Sequence, residues 1–206
     1  MQTSFVILDA MGVVFFQEDD LKVFMPYLEE YATDFGQSGK KHLIESAYLR
    51  LTKGEISSDR FFQSLNIDKP DLNFLLAVTL DPEFAEFAQT IRRTNILTIL
   101  SNDSQEWSNY RNRELGLESM VDHYATSSLL GIRKPSRIAL EKTCWLMNAQ
   151  PENCIYVDNL AANLYPADEL RMRVILFRRD GKNDSPYPLV RNLPELGQII
   201  SGGKLS

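Results

Sequence analysis

Cysteine and histidine are scarce in this 206-residue chain: Cys144, Cys154, His42 and His123 are the only ones. Two cysteines outside a C-x-x-C pair are too few for a disulfide framework. Two histidines are too few for a histidine-rich zinc site. Long apolar runs are missing as well: no stretch approaches the ~18 residues of a membrane-spanning helix. The short apolar run at the N-terminus has no basic flank and is broken by Asp9, so it makes a poor signal peptide. Positive charge is in deficit, with 22 Lys and Arg against 28 Asp and Glu and a net charge of −6. That balance argues against a dedicated nucleic-acid or membrane-surface binder. Internal repeats, low-complexity tracts and long linkers are absent too. The expectation is a soluble, cytoplasmic protein with neither nucleic acid nor membrane as partner.

What is present is enough apolar material, 44% of residues, to fill a core. The length suits one domain, or one domain with a small insert. Short β-rich runs occur at 5–8, 96–100, 123–126, 154–157 and 174–177. They are nearly continuous in apolar residues and alternate with helical patterns, which indicates a parallel sheet covered on both faces. Between the first two runs, helices are predicted over 21–31, 41–53, 58–65 and 82–93. Ser57 and Ser58 mark one helix start, and Asp81 before Pro82 marks another. An all-helical stretch inside an alternating pattern predicts an inserted helical module. The last 25 or so residues read as loop, a short helix at 193–200 and a frayed end.

In open α/β sheets, ligands bind at the carboxyl ends of the strands. The first run ends in Asp9, followed by Ala10-Met11-Gly12, and the second in Ser101-Asn102-Asp103. Lys134-Pro135 follows the third, and the fourth ends in Asp158-Asn159 with Asn163 beyond. Each alone has a plain explanation: a capping aspartate, turn chemistry at Ser101-Asn102, a surface lysine, a helix-surface Asn163. Their order and spacing together are the stronger signal.

With these four stretches in hand, the chain resembles the haloacid dehalogenase-like (HAD) hydrolase superfamily over about residues 5–177. Leu8-Asp9-Ala10-Met11-Gly12-Val13, Leu100-Ser101-Asn102, Lys134-Pro135 and Val157-Asp158-Asn159-Leu160-Ala161-Ala162-Asn163 match its four motifs. The last stretch, continuing through Leu164-Tyr165-Pro166-Ala167, is similar to the branch containing the N-terminal phosphatase domain of soluble epoxide hydrolases. The resemblance implies an α/β, Rossmann-like parallel sheet with helices on both faces and an inserted helical cap. Residues 1–15 and 86–206 would form the core domain and 16–85 the cap. It implies Asp9 as a nucleophile forming a covalent aspartyl intermediate, and Ser101, Asn102 and Lys134 as binders of the phosphoryl group, Lys134 also offsetting developing charge. It implies Mg²⁺ on Asp9, the Met11 backbone carbonyl, Asp158 and Asn159, with Asn163 orienting its neighbours. The implied partner is a small anionic substrate, phosphorylated in a phosphatase; oligomeric state is left open.

Two positions depart from that pattern. Phosphatases of the superfamily have an aspartate where this chain has Met11, and that aspartate protonates the leaving alcohol and activates water. Losing a general acid typically removes about 10²–10⁴-fold in rate, so leaving groups of low pKa are expected to be favoured. Asn159 stands where a charged metal ligand is usual, which predicts a weakened Mg²⁺ site. Metal-independent 2-haloacid dehalogenases also lack the second acid, because halide needs no proton. They lack an acid at the place of Asp158, however, and have aspartate where this chain has Asn163. Three readings follow, in order: a phosphatase with a weakened metal site, a metal-independent 2-haloacid-type hydrolase, or a catalytically degenerate binding protein on the same scaffold. In the insert, the polar residues of 48–54 are candidates for specificity. Arg50 and Lys53 would meet an anion or, more simply, lie on a solvated helix face. Gly54 suits a helix end, and Phe61 and Phe62 suit the core of the cap.

Overall fold

The computed structural model describes residues 4–32 and 37–202. Its strands are β1 (Ser4–Asp9), β2 (Asn95–Ser101), β3 (His123–Thr126), β4 (Cys154–Asp158), β5 (Arg173–Phe177) and β6 (Leu189–Val190). They form one sheet in the order β3-β2-β1-β4-β5-β6, parallel at every pairing. β1 is central because it is apolar on both faces. Val6 and Leu8 enter one hydrophobic cluster, while Phe5 and Ile7 enter the other, as a period of two requires. Chain order reverses between β1 and β4, and such a switch point opens a crevice at the strand ends.

The helices are α1 (Asp20–Tyr31), α2 (Gln37–Thr52), α3 (Ser58–Ser64), α4 (Phe84–Ile91) and α5 (Gln105–Glu114). They continue with α6 (Ser127–Leu130), α7 (Arg137–Leu146), α8 (Ala161–Glu169) and α9 (Leu193–Ile200). α1, α2, α3 and a 3-10 turn, Leu72–Leu76, form the insert between β1 and β2. The chain enters and leaves this insert through a paired neck. The Phe16 amide donates to the Thr79 carbonyl at 3.0 Å and the Asp81 amide to the Val14 carbonyl at 2.9 Å.

Trp107, on α5, stands at the centre of the insert's aromatic packing. The rings of Phe24, Tyr48, Phe61, Phe62 and Phe74 all lie within about 6 Å of its own. Its indole Nε1 donates to the Ser58 hydroxyl at 2.7 Å. Phe61 and Phe62 are thus buried, as expected, but around a tryptophan supplied from outside the insert.

Several boundaries differ from the sequence expectation. β6 was not anticipated; its two residues form a strand because β5 offers an open edge, with the Arg178 amide donating to the Val190 carbonyl at 2.9 Å. α4 begins at Phe84, not at Pro82, because Asp81 first closes a turn by accepting the Glu83 amide at 2.9 Å. α7 begins at Arg137 with Ser136 as its cap, so Pro135 lies before the helix. The start at Ser57 is as expected, its hydroxyl accepting the Arg60 amide at 3.3 Å. Of the expected frayed end, residues 203–206 lie outside the described residues. Among the described residues, no helix is long and apolar enough to cross a membrane.

Candidate active site

Asp9 ends β1 beside the end of β4, which ends in Asp158. Both side chains are buried, and burial of two facing carboxylates is unfavourable unless a cation joins them. Lys134 supplies it. Its Nζ donates to Asp9 Oδ1 at 2.6 Å and Asp158 Oδ2 at 3.0 Å, and to the Leu100 carbonyl at 3.0 Å. One ammonium against two carboxylates leaves the cluster with an excess negative charge. Burial and then the charge of Asp158 push the Asp9 carboxyl up to about 7, against the pull of Lys134 and the Ala10 amide. Burial opposes the charge on Lys134, but Asp158 and Asp9 outweigh it and hold its pKa above the usual lysine value.

Asn102 sets Lys134 in place. Its Oδ1 accepts the Lys134 amide at 2.8 Å and its Nδ2 donates to the Lys134 carbonyl at 3.0 Å. Asp158 is held more firmly still. Asn163 Nδ2 lies 3.0 Å from both of its oxygens, the Leu160 amide donates to Oδ1 at 2.9 Å, and the Tyr156 hydroxyl donates to Oδ2. Burial, then Asp158 and Asp9, raises the tyrosine's pKa well above its ordinary value, so it stays a donor. Tyr156 was missed from the sequence. Strand alternation was the available signal, since two residues apart on β4 places Tyr156 and Asp158 on one face.

Asn159 packs over Gly12. With φ at +83°, Gly12 occupies a region that side chains avoid, and a Cβ there would lie 2.4 Å from Asn159 Nδ2. The Asn159 Oδ1 atom is buried and has no hydrogen-bond donor among the described residues. An orphaned carbonyl oxygen next to Asp158, in a cluster of excess negative charge, fits a hard cation that takes oxygen ligands. Among the described residues no group of three His, Cys, Asp or Glu could hold a metal. Any metal here would therefore complete its shell with neutral oxygens, such as the Asn159 amide and the Met11 carbonyl, and with water.

The strand ends open into a cavity of about 450 Å³, within the size range of small-molecule sites. Asp9, Met11, Ser101, Asn102, Lys134 and Asn163 line it from the sheet side. Tyr48 and Leu49 on α2 and Asp20 at the head of α1 line it from the insert. Arg50 and Lys53 do not line it; they pair with Glu55 at 3.7 and 3.9 Å on the exposed face. The basic side chain that does reach the cavity besides Lys134 is Arg133, whose Nη1 bonds the Thr52 hydroxyl on α2. Sequence spacing carried no signal for Asp20, whose placement depends on how the insert folds back, nor for the contact that Arg133, in the core loop beside Lys134, makes with the insert.

The profile of the haloacid dehalogenase-like hydrolases matches residues 5–164. No curated protein matches the chain in sequence. Solved structures do match in fold. A HAD phosphatase from Thermococcus onnurineus superposes with a TM-score of 0.75 at 16% identity, covering 98% of this chain and all (100%) of its own. A 2-haloacid dehalogenase from Pseudomonas syringae pv. tomato DC3000 gives 0.73 at 15% identity, covering 97% and 99%. A mutant HAD family enzyme from Bacteroides thetaiotaomicron, in complex with magnesium and inorganic phosphate, gives 0.69 at 14% identity, covering 89% and 98%.

Proposed function

We propose that this chain, which belongs to the haloacid dehalogenase-like hydrolase family, hydrolyses a small phosphate monoester through a covalent intermediate on Asp9. The observation that carries the reading is the buried cluster of Asp9, Lys134 and Asp158 with the orphaned Asn159 oxygen beside it. A phosphoryl group entering a cluster of excess negative charge needs added positive charge. Mg²⁺ on Asp9, Asp158, Asn159 and the Met11 carbonyl would supply that charge, held weakly because Asn159 contributes none.

Asp9 is aimed by its strand end and by the Ala10 amide, which donates to Oδ1 at 2.7 Å. Its carboxylate attacks phosphorus, the ester bond breaks, and water then hydrolyses the aspartyl phosphate. Lys134 lies against the nucleophile and offsets charge on the transferring oxygens. Ser101 meets a phosphoryl oxygen from the end of β2, and Asn102 keeps Lys134 in register. Asn163 and Tyr156 fix Asp158. The insert, residues 16–85, acts as a cap on the core of 1–15 and 86–206, excluding water and selecting substrate. A small phosphorylated anion is the partner, in a cytoplasmic setting.

The test is phosphate release from an activated aryl phosphate and a panel of monoesters across a Mg²⁺ titration, with Asp9→Asn as control. Release that requires both Asp9 and Mg²⁺ is expected. Release equal to the Asp9→Asn control at every Mg²⁺ level removes the reading. Met11 favours a second reading, metal-independent release of halide from a 2-haloacid, since a halide leaves without a proton. Halide release in the presence of a chelator supports it, and none across short 2-haloacids rules it out.

A further inference from the structure

Position 11 leaves a phosphatase of this construction without a proton donor: Met11 lies on the cavity wall and has no titratable group. Four carboxylates other than Asp9 line the same cavity: Glu18, Asp19, Asp20 and Glu45. Glu18 and Glu45 are exposed. Asp19 is occupied as the cap of α1, its Oδ1 accepting the Lys22 amide at 3.2 Å and its Oδ2 lying 3.4 Å from the Lys22 ammonium. Asp20 is different in both respects. It is 9% exposed, and among the described residues no lysine or arginine forms an ion pair with it. The neighbouring guanidinium, Arg111, binds Asp103. The Leu21 amide donates to Asp20 Oδ1 at 2.8 Å and fixes the carboxyl at the first residue of α1.

We propose that Asp20 carries the proton that position 11 cannot, as acid toward the leaving alcohol and then as base toward water. This rests on the phosphatase reading above. In the first transfer, Asp9 forms its bond to phosphorus, the ester P–O bond breaks, and the Asp20 carboxyl gives its proton to the departing oxygen. In the second, water adds to phosphorus and gives a proton back to Asp20, while the Asp9–phosphorus bond breaks and phosphate leaves. The surroundings suit the role. Burial first, then the charge of Asp103, pushes the Asp20 carboxyl up to about 6, with Asp19 adding to the rise and Tyr48 and Arg111 opposing it. A carboxyl in that range is protonated in part near neutral pH and can cycle between acid and base.

The experiment compares kcat/KM for a nitrophenyl phosphate and for a simple alkyl phosphate in wild type, Asp20→Asn and Asp20→Glu. Because kcat/KM covers steps only to the first irreversible transfer, it isolates loss of the acid from loss of the base. Asp20→Asn is expected to lower the alkyl value about 10²–10⁴-fold and the nitrophenyl value far less, since nitrophenolate departs unprotonated. Asp20→Glu should recover part of the alkyl rate, and Met11→Asp placed on Asp20→Asn should recover it by restoring a donor at position 11. The alkaline limb of the wild-type alkyl profile should also disappear in Asp20→Asn. Equal losses on both substrates, or none, overturn the role of Asp20 and leave the phosphatase reading standing. Wild type inactive on both substrates overturns the phosphatase reading and this role together.

Discussion

At the scale of single residues, the site is a problem of buried charge and its compensation. Lys134 is the sole cation bonded to Asp9 and Asp158 among the described residues. Lys134→Met should lower unfolding free energy by about 3–5 kcal/mol, because it strands two carboxylates in a low-dielectric site. The deficit has a defined pH dependence. A carboxyl whose folded pKa is raised, as Asp9's is to about 7, favours folding most below its unfolded value and loses that contribution as pH rises. Removing Lys134 takes away the charge and hydrogen bond that oppose this rise, so the Asp9 carboxyl is raised further and urea unfolding of Lys134→Met should show a larger deficit at pH 8 than at pH 5; an equal deficit at both would place the cost in lost packing. Tyr156→Phe should cost about 1.5–3 kcal/mol, the range for a hydrogen bond to a charged group, and thermal unfolding measures it. A variant as stable as wild type would mean that Asn163, Lys134 and the Leu160 amide satisfy Asp158 without the hydroxyl.

At the scale of elements, the insert and the sheet share a core instead of owning one each. Trp107 belongs to α5, yet aromatic residues of α1, α2, α3 and the 3-10 turn at Leu72–Leu76 surround it. Trp107→Ala should destabilise by about 3–5 kcal/mol, as for other large buried aromatics. Because the cavity it leaves lies under the insert, limited proteolysis should cut first between residues 20 and 80. Cleavage confined to the core helices would mean that the insert holds together without it. Three contacts join the end of α2 to α6 and the loop that follows it. The Ser127 hydroxyl donates to the Thr52 carbonyl, Arg133 bonds the Thr52 hydroxyl, and Gly54 turns at a φ of +72° where a Cβ would strike the Ser128 carbonyl. Helix spacing places Gly54 at an end, but only the packed structure shows what lies opposite it.

At the scale of the whole molecule, the sheet is tied at its far end as well as at the end that faces the cavity. Asp122 accepts from Arg92, at 3.1 Å to Nε and 2.8 Å to Nη2, and from the Leu97 amide at 2.8 Å. It thereby joins the end of α4 to β2 and the start of β3. Burial opposes ionisation of Asp122, but the bonds from Arg92 and Leu97 prevail and its pKa lies below the usual value. A lowered carboxyl stabilises above its unfolded value of about 3.9 and loses that contribution as pH falls through the folded value. Asp122→Asn should thus be less stable than wild type at pH 7, and the two urea curves should converge at the acid end; a constant gap would put the effect elsewhere. The sequence alone determined the parts of this protein set by local chemistry. Nearly continuous apolar runs alternating with helical patterns made β1 to β5 legible, Ser57 showed a helix start, and polar residues beyond the runs marked Asp9, Ser101 and Asp158 at strand ends and Lys134 further along after the third. What only the tertiary structure decided depends on contacts between distant segments. β6 exists because β5 has an edge to pair with, Trp107 became the insert's centre because α5 lies beneath it, Asp20 reaches the cavity because the insert folds back over the strand ends, and Arg133 meets Thr52 because α2 packs beside its loop. A local pattern fixes how a residue sits on its own element, while burial and charge compensation depend on which other elements that face meets.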